Sequence, residues 1–115
     1  MIGRHLIEKA AASLGLEISH MKESSRFGRA FSMVKCDDGK SSRLWNPLAN
    51  SGDALELAAG HRMDVLHGEN DLGEPIVTAQ PAALSFSECP AVEFTGPESI
   101  REAITRSAAK VGGEA

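Results

Sequence analysis

Four histidines and two cysteines hold most of the reactive capacity of this chain, and their spacing limits what they can do. The histidines are His5, His20, His61 and His67. His61 and His67 would share one face of a single strand, but six residues at ~3.3 Å each hold them roughly 20 Å apart, too far for a common metal ion. No His-x-x-x-His, Cys-x-x-Cys or His-x-x-Cys spacing occurs, so no metal site is expected. Cys36 and Cys89 lie in or beside strand-like segments with no base next to them in sequence. Each reads as a reduced, buried structural thiol rather than a nucleophile or a disulfide partner. No Gly-x-Ser-x-Gly elbow and no phosphate-binding glycine loop occurs. Asp37-Asp38-Gly39 lacks the regular downstream oxygen ligands of a Ca²⁺ loop and is better explained as a turn. The residues therefore predict no catalytic group, no cofactor and no metal. An enzyme remains open only if its site is assembled by the fold.

The other chemistry within reach is electrostatic. Lys22, Arg26 and Arg29 surround Phe27 in a polar stretch, and Arg43 lies further on. Basic residues around an aromatic ring can hold a phosphate backbone and stack a base. A solvated loop with Phe27 turned inward is the plainer reading. The whole chain carries a net charge of −4. Sequence-independent nucleic-acid binding rests on many Lys/Arg–phosphate contacts, so nucleic acid is disfavoured as a partner. The charge is unevenly spread: residues 1–50 carry +3 and residues 51–115 carry −7. Opposite-signed halves favour self-association if they form complementary patches, and are otherwise solvated surface.

These groups have to be positioned by the elements around them. A chain of 115 residues is one domain, 1–115, able to bury a core without disulfides or metal. Ile2, Leu6, Ala10 and Leu14, widened by Ile7 and Ala11, predict a helix over Gly3–Leu14, with Gly15 as its left-handed cap. Leu16, Ile18 and His20 alternate as in a strand. Ser24–Arg29 reads as a loop and Ala30–Cys36 as a strand with no strongly polar face, which fits a sheet covered on both sides. The Asp37–Lys40 turn should return the chain into a strand over Ser42–Trp45, with Trp45 buried beneath a helix and its indole donor paired. Pro47 stops that strand. Asn50 then caps a short helix by accepting from the amide of Asp53, while Asp53 reaches back to the amide of Asn50. Ala54, Leu55, Leu57 and Ala58 form the apolar stripe of this helix and Gly60 its stop.

Met63–His67 and Ile76–Gln80 predict strands, and the even spacing of Leu84, Phe86, Val92 and Phe94 suggests one or two short edge strands. Thr95-Gly-Pro-Glu98 reads as a capping threonine, an early proline and a capping-box glutamate. The helix that follows should bury Ile100, Ala103, Ile104, Ser107, Ala108 and Val111 and turn Arg101, Glu102, Thr105 and Lys110 outward. The order of elements predicts an α+β fold: a small three-layer α/β/α sandwich, a mainly antiparallel sheet flanked by three helices. No apolar run approaches the ~20 residues of a membrane helix, and charges interrupt the N-terminal segment where an export signal needs an apolar core. A cytoplasmic location without membrane association is the expectation.

Two runs add a likeness to this reading. Trp45-Asn-Pro-Leu48 with Gly52-Asp53-Ala54-Leu55-x-Leu57-Ala58, and Pro97-Glu98-Ser99-Ile100-Arg101-x-Ala103-Ile104-x-Arg106-x-Ala108-Ala109, resemble the phage α/β/α-sandwich domain family of small phage and prophage proteins. The likeness spans Trp45 to Gly112 and consists of core and cap residues. It implies a compact sandwich of viral ancestry and transfers no active site. With no catalytic spacing in the chain, it points to a non-enzymatic accessory protein that acts by binding a host or phage protein, with homo-oligomerisation as a further possibility. Lys22, Arg26, Phe27, Arg29 and Arg101 are the candidate interaction residues. The alternatives are a nucleic-acid-associated module using the Lys22–Arg29 loop and a small enzyme.

Overall fold

The computed structural model describes residues 2–24, 29–36 and 38–113. The elements run α1 (Ile2–Ser13), β1 (Ile18–Ser24), β2 (Arg29–Lys35), β3 (Ser42–Leu44), α2 (Ser51–Gly60), β4 (Asp64–Glu69), β5 (Pro75–Gln80), β6 (Val92–Glu93) and α3 (Pro97–Val111). The α+β class, the three helices among the described residues and the antiparallel pairing are those expected. The strands are divided between two three-stranded sheets, β1-β2-β3 and β4-β5-β6.

The chain crosses from the first sheet to the second through α2. Trp45 continues the β3 register by donating its amide to the Ser32 carbonyl, and the Ser32 hydroxyl donates to the Trp45 carbonyl. Pro47 then removes the next donor, and the chain turns into α2. Asn50 caps α2 as predicted, its Oδ1 accepting from the Asp53 amide at 2.9 Å. Asp53 does not return that bond to Asn50. Its carboxylate reaches the Asn46 amide at 2.9 Å, because the Asn50 amide already donates to the Asn46 carbonyl. The cap therefore locks the whole 46–50 turn rather than a single residue.

One core joins the two sheets. Ile7, Ala10 and Ala11 of α1, Val34 of β2, Trp45 just after β3, Ala54 and Leu57 of α2, Val77 and Ala79 of β5, and Ala103, Ile104 and Ala108 of α3 form a single buried cluster. The alanines allow close packing: α1 lies along α3, and α3 lies on β5. Gly112 sits where these helices converge. A Cβ there would stand 2.2 Å from the Lys9 carbonyl oxygen. Gly60, read from sequence as a stop, has a similar purpose, since a Cβ would meet Leu14 Cδ2 at 2.6 Å.

Several local expectations are corrected. On β2, Ser32 and Val34 face the core, while Met33 is half-buried and Lys35 exposed, so the outer face is only partly covered. Leu55 is 66% exposed because the buried stripe of α2 narrows to Ala54 and Leu57. Thr95 does not cap α3. Gly96 is the N-cap, and Ser99 accepts from the Thr95 amide at 2.9 Å, so the side chain that closes this end lies inside the helix. Thr105, expected outside, is fully buried, and its hydroxyl is satisfied by the Arg101 carbonyl at 2.7 Å. Residues 81–94 do supply a short edge strand as expected, two residues long, beside the short 3-10 turn Phe86–Glu88. Cys36 and Cys89 are free thiols and half-buried, not buried.

Candidate interaction surface

Of the five expected interaction residues, Lys22, Arg29 and Arg101 are described. Lys22 and Arg29 lie on β1 and β2 near the hairpin end, and Arg26 and Phe27 fall outside the described residues. Arg101 lies on α3. Its Nε donates to the Leu48 carbonyl at 3.1 Å and its guanidinium reaches Ser51 Oγ at 3.2 Å. It pins α3 to the entrance of α2, which corrects the expectation of an outward, uncommitted side chain.

A groove of 680 Å³ runs between residues 90–95 and the first half of α3. Its polar lining is Glu93, Thr95, Glu98, Ser99, Glu102 and Arg106. Most of these groups satisfy one another. Arg106 pairs with Glu102 at 3.2 Å, and Thr95 donates to Glu98 at 3.1 Å while Ser99 lies 3.0 Å from the Thr95 hydroxyl. No cysteine, histidine or lysine lines the groove. Among the described residues no group of three His, Cys, Asp or Glu side chains is placed to hold a metal ion.

The histidines are dispersed. His61 Nε2 lies 2.8 Å from the Ser13 hydroxyl, which donates its proton to the Ala10 carbonyl at 2.5 Å. The ring nitrogen must then be the donor, and burial holds the His61 pKa below its ordinary value. His67 packs edge-on against Phe94, with ring centroids 5.3 Å apart. Cys89 donates to the Ser85 carbonyl at 3.3 Å, and burial pushes its thiol pKa up, away from the reactive thiolate. Asp38–Lys40 forms a turn, as expected of its composition: Asp38 Oδ1 accepts from the amides of Lys40 and Ser41, both at 2.9 Å. Those bonds lower the Asp38 pKa.

What the sequence reading missed is an edge. Two sheets have four edges, and three are blunted in ways that natural proteins use against unwanted pairing. β3 has three residues and β6 has two. β1 has an irregular register between Ile18 and His20 and carries Lys22. Beyond the end of β6 the exposed side of β5 is closed by α3, whose Ser107 hydroxyl donates to the Ala79 carbonyl at 2.6 Å. β4 is longer and regular, and its only charges are the acidic Asp64 and Glu69 at its two ends. It pairs with β5 over all six residues without a bulge, and contains no Lys, Arg or Pro. Every one of its residues is exposed, with Val65 at 37% and Leu66 at 40%.

The hydrogen-bond parity of this edge follows from its neighbours. The Asn70 amide donates to the Glu74 carbonyl just past β4, so Gly68, Leu66 and Asp64 direct their backbone groups to β5. The Phe94 amide donates to the Pro75 carbonyl, which turns Val77 and Ala79 toward the β6 side and agrees with that parity. Val65, His67 and Glu69 therefore present their N–H and C=O groups outward, and among the described residues no backbone group meets them.

Comparison with known protein families, with curated proteins and with solved structures finds no match in any of the three. No helix among the described residues is long and apolar enough to cross a membrane.

Proposed function

We propose that this protein is a non-enzymatic binding module that accepts an extended polypeptide segment along β4, in the manner of strand addition. One observation carries the reading: a six-residue, regular, unblunted edge with apolar Val65 and Leu66 exposed, in a molecule whose other sheet edges are short, irregular or covered. Backbone groups of Val65, His67 and Glu69 would supply affinity, and the alternating side chains of β4 selectivity. The proposal includes a cytoplasmic accessory role in a phage or prophage setting. Its support there is the likeness of the Trp45–Ala58 and Pro97–Ala109 runs to the phage sandwich family.

The experiment is a display screen of extended peptides against the intact chain, with amide shifts mapped for the peptides that bind. Shifts at Val65, His67 and Glu69, lost in Val65→Pro, are expected. Peptides that instead shift Glu93, Glu102 and Arg106 and bind Val65→Pro equally would move the site to the groove. Binding of nucleic acid that weakens steeply with salt would replace the reading with the basic β1–β2 hairpin.

A further inference from the structure

The occupant of β4 can be specified further, on the premise that β4 is the binding edge. We infer that it is β4 of a second copy of this chain, joined antiparallel about a two-fold axis through Leu66, so that the two β4-β5-β6 sheets become one six-stranded sheet. Backbone parity restricts the choice. Only Val65, His67 and Glu69 face outward, and outward-facing residues must meet one another, so the axis has to pass through a residue and not between two. A pairing of Asp64 with the partner's Glu69, which would set like charges opposite, is excluded by this rule alone.

Parity also allows an axis through Val65, which would set the Asp64 carboxylate against the partner's Leu66, and side-chain chemistry favours Leu66. With the axis there, Leu66 stands opposite the partner's Leu66 in a non-hydrogen-bonded pair, where side chains approach most closely. Val65 stands opposite the partner's His67, and Asp64 opposite the partner's Gly68. No like charges meet. The strand ends are complementary as well. Arg62, in the turn two residues before β4, lies at the end of the paired strands where the partner's Glu69 and Asp71 stand. Arg62, Glu69 and Asp71 are exposed, and none has an ion pair within its own chain among the described residues. An axis through His67 instead sets Val65 against the carboxylate of the partner's Glu69.

The test uses the full chain with Cys36→Ser and Cys89→Ser, so that only introduced thiols can bridge. Light scattering after size exclusion is expected to show a dimer that dissociates on dilution. Val65→Pro removes an outward amide without touching the β5 ladder and should weaken the dimer by at least about tenfold, one hydrogen bond being lost on each copy. Leu66→Lys, which puts two ammonium groups at the axis, should weaken it further while the thermal melt stays that of the parent. That second variant keeps the test valid if the proline disturbs folding. Leu66→Cys should form an intermolecular disulfide readily, since directly opposed non-hydrogen-bonded residues have Cα atoms about 4.5 Å apart. His67→Cys should not, because its copies would lie about 8 Å apart, beyond disulfide reach.

A chain that stays monomeric at every concentration reached overturns the inference. If peptides still bind β4 in a Val65→Pro-sensitive way, strand addition survives that result. A dimer indifferent to both Val65→Pro and Leu66→Lys overturns the inference by placing the interface elsewhere. Cross-linking through His67→Cys and not Leu66→Cys overturns the register.

Discussion

Replacing Glu56 with Ala tests how the first sheet is fastened to α2, through the one tryptophan of the chain. Trp45 is fully buried and its indole Nε1 donates to Glu56 Oε1 at 3.0 Å. The same carboxylate receives Arg43 at 3.1 Å and 3.2 Å through its two oxygens. Losing the acceptor strands a buried indole donor, which costs ~1–3 kcal/mol. The Glu56 side chain is 41% exposed, so water can partly replace it and the lower end of that range applies. The Arg43 pair adds ~0–1 kcal/mol, because both partners are substantially exposed. The expected loss is therefore about 1–2 kcal/mol for Glu56→Ala, and under ~1 kcal/mol for Glu56→Gln, which keeps an acceptor.

Urea denaturation followed by tryptophan emission reads both quantities at once, the midpoint reporting stability and the native emission maximum reporting the indole environment. Glu56→Ala should lower the midpoint and shift native emission, and Arg43→Ala should lower the midpoint slightly with emission unchanged. An unchanged midpoint together with unchanged emission in Glu56→Ala would show that the indole donor needs no carboxylate and would refute the reasoning.

Gly112→Ala places a Cβ on the Lys9 carbonyl, a backbone atom that cannot rotate away, and should cost ~1–3 kcal/mol in a thermal melt by forcing α1 and α3 apart. Arg101→Ala should destabilise by about 1 kcal/mol through loss of its bonds to Leu48 and Ser51, and Arg101→Lys should not restore them, because a point ammonium cannot span both acceptors. Burial holds the His61 pKa below 6.5, so the unfolded chain takes up the proton first as pH falls. Stability should decline as pH drops below about 6.5 and level off once the folded-state value is passed, and His61→Gln should flatten this part of the profile in denaturant midpoints taken on either side of it.

Elements with a local cause were legible in the sequence. The 3.6-residue stripe of α1, the Asn50 cap and Pro47 are each decided within a few residues, and each is found where it was expected. Burial of Trp45 and pairing of its indole were also readable, because a large apolar ring beside a short helix has few other places to go. What failed depends on distant partners. Period-two alternation says that 63–67 is a strand but not whether any helix covers it, and β4 is left exposed on both faces. Division into two sheets is decided by which strands meet edge to edge, a long-range choice that alternation does not encode. Helical spacing sets Thr105 and Arg101 outward, yet a threonine can return its hydroxyl to the carbonyl four residues back and an arginine can reach a carbonyl on another element. The β4 edge did leave a trace in sequence: Asp64–Glu69 is a strand segment with no Lys, Arg or Pro among its six residues, which is the absence of the usual protection.

That protection is supplied differently on the other side of the same sheet, and Ser107 makes the difference measurable. β6 ends after two residues, so the Ala79 carbonyl, turned to that side, has no strand to meet. α3 fills the gap: Ser107 is fully buried and its hydroxyl donates to Ala79 at 2.6 Å. Ser107→Ala removes the donor without adding volume, leaving a buried carbonyl unpaired at a cost of ~1–3 kcal/mol. Hydrogen exchange separates this effect from a general loss of stability. Amides of Val77 and Ala79 should lose protection beyond the global change, while those of Ile76 and Thr78, bonded to β4, should follow the global change alone. Self-association should not increase in Ser107→Ala, because the helix still blocks that edge sterically. Val77 and Ala79 amides as well protected as in the parent, with the melting temperature unchanged, would mean that the Ala79 carbonyl is satisfied elsewhere. α3 would then cover the β5 edge without completing its hydrogen bonds.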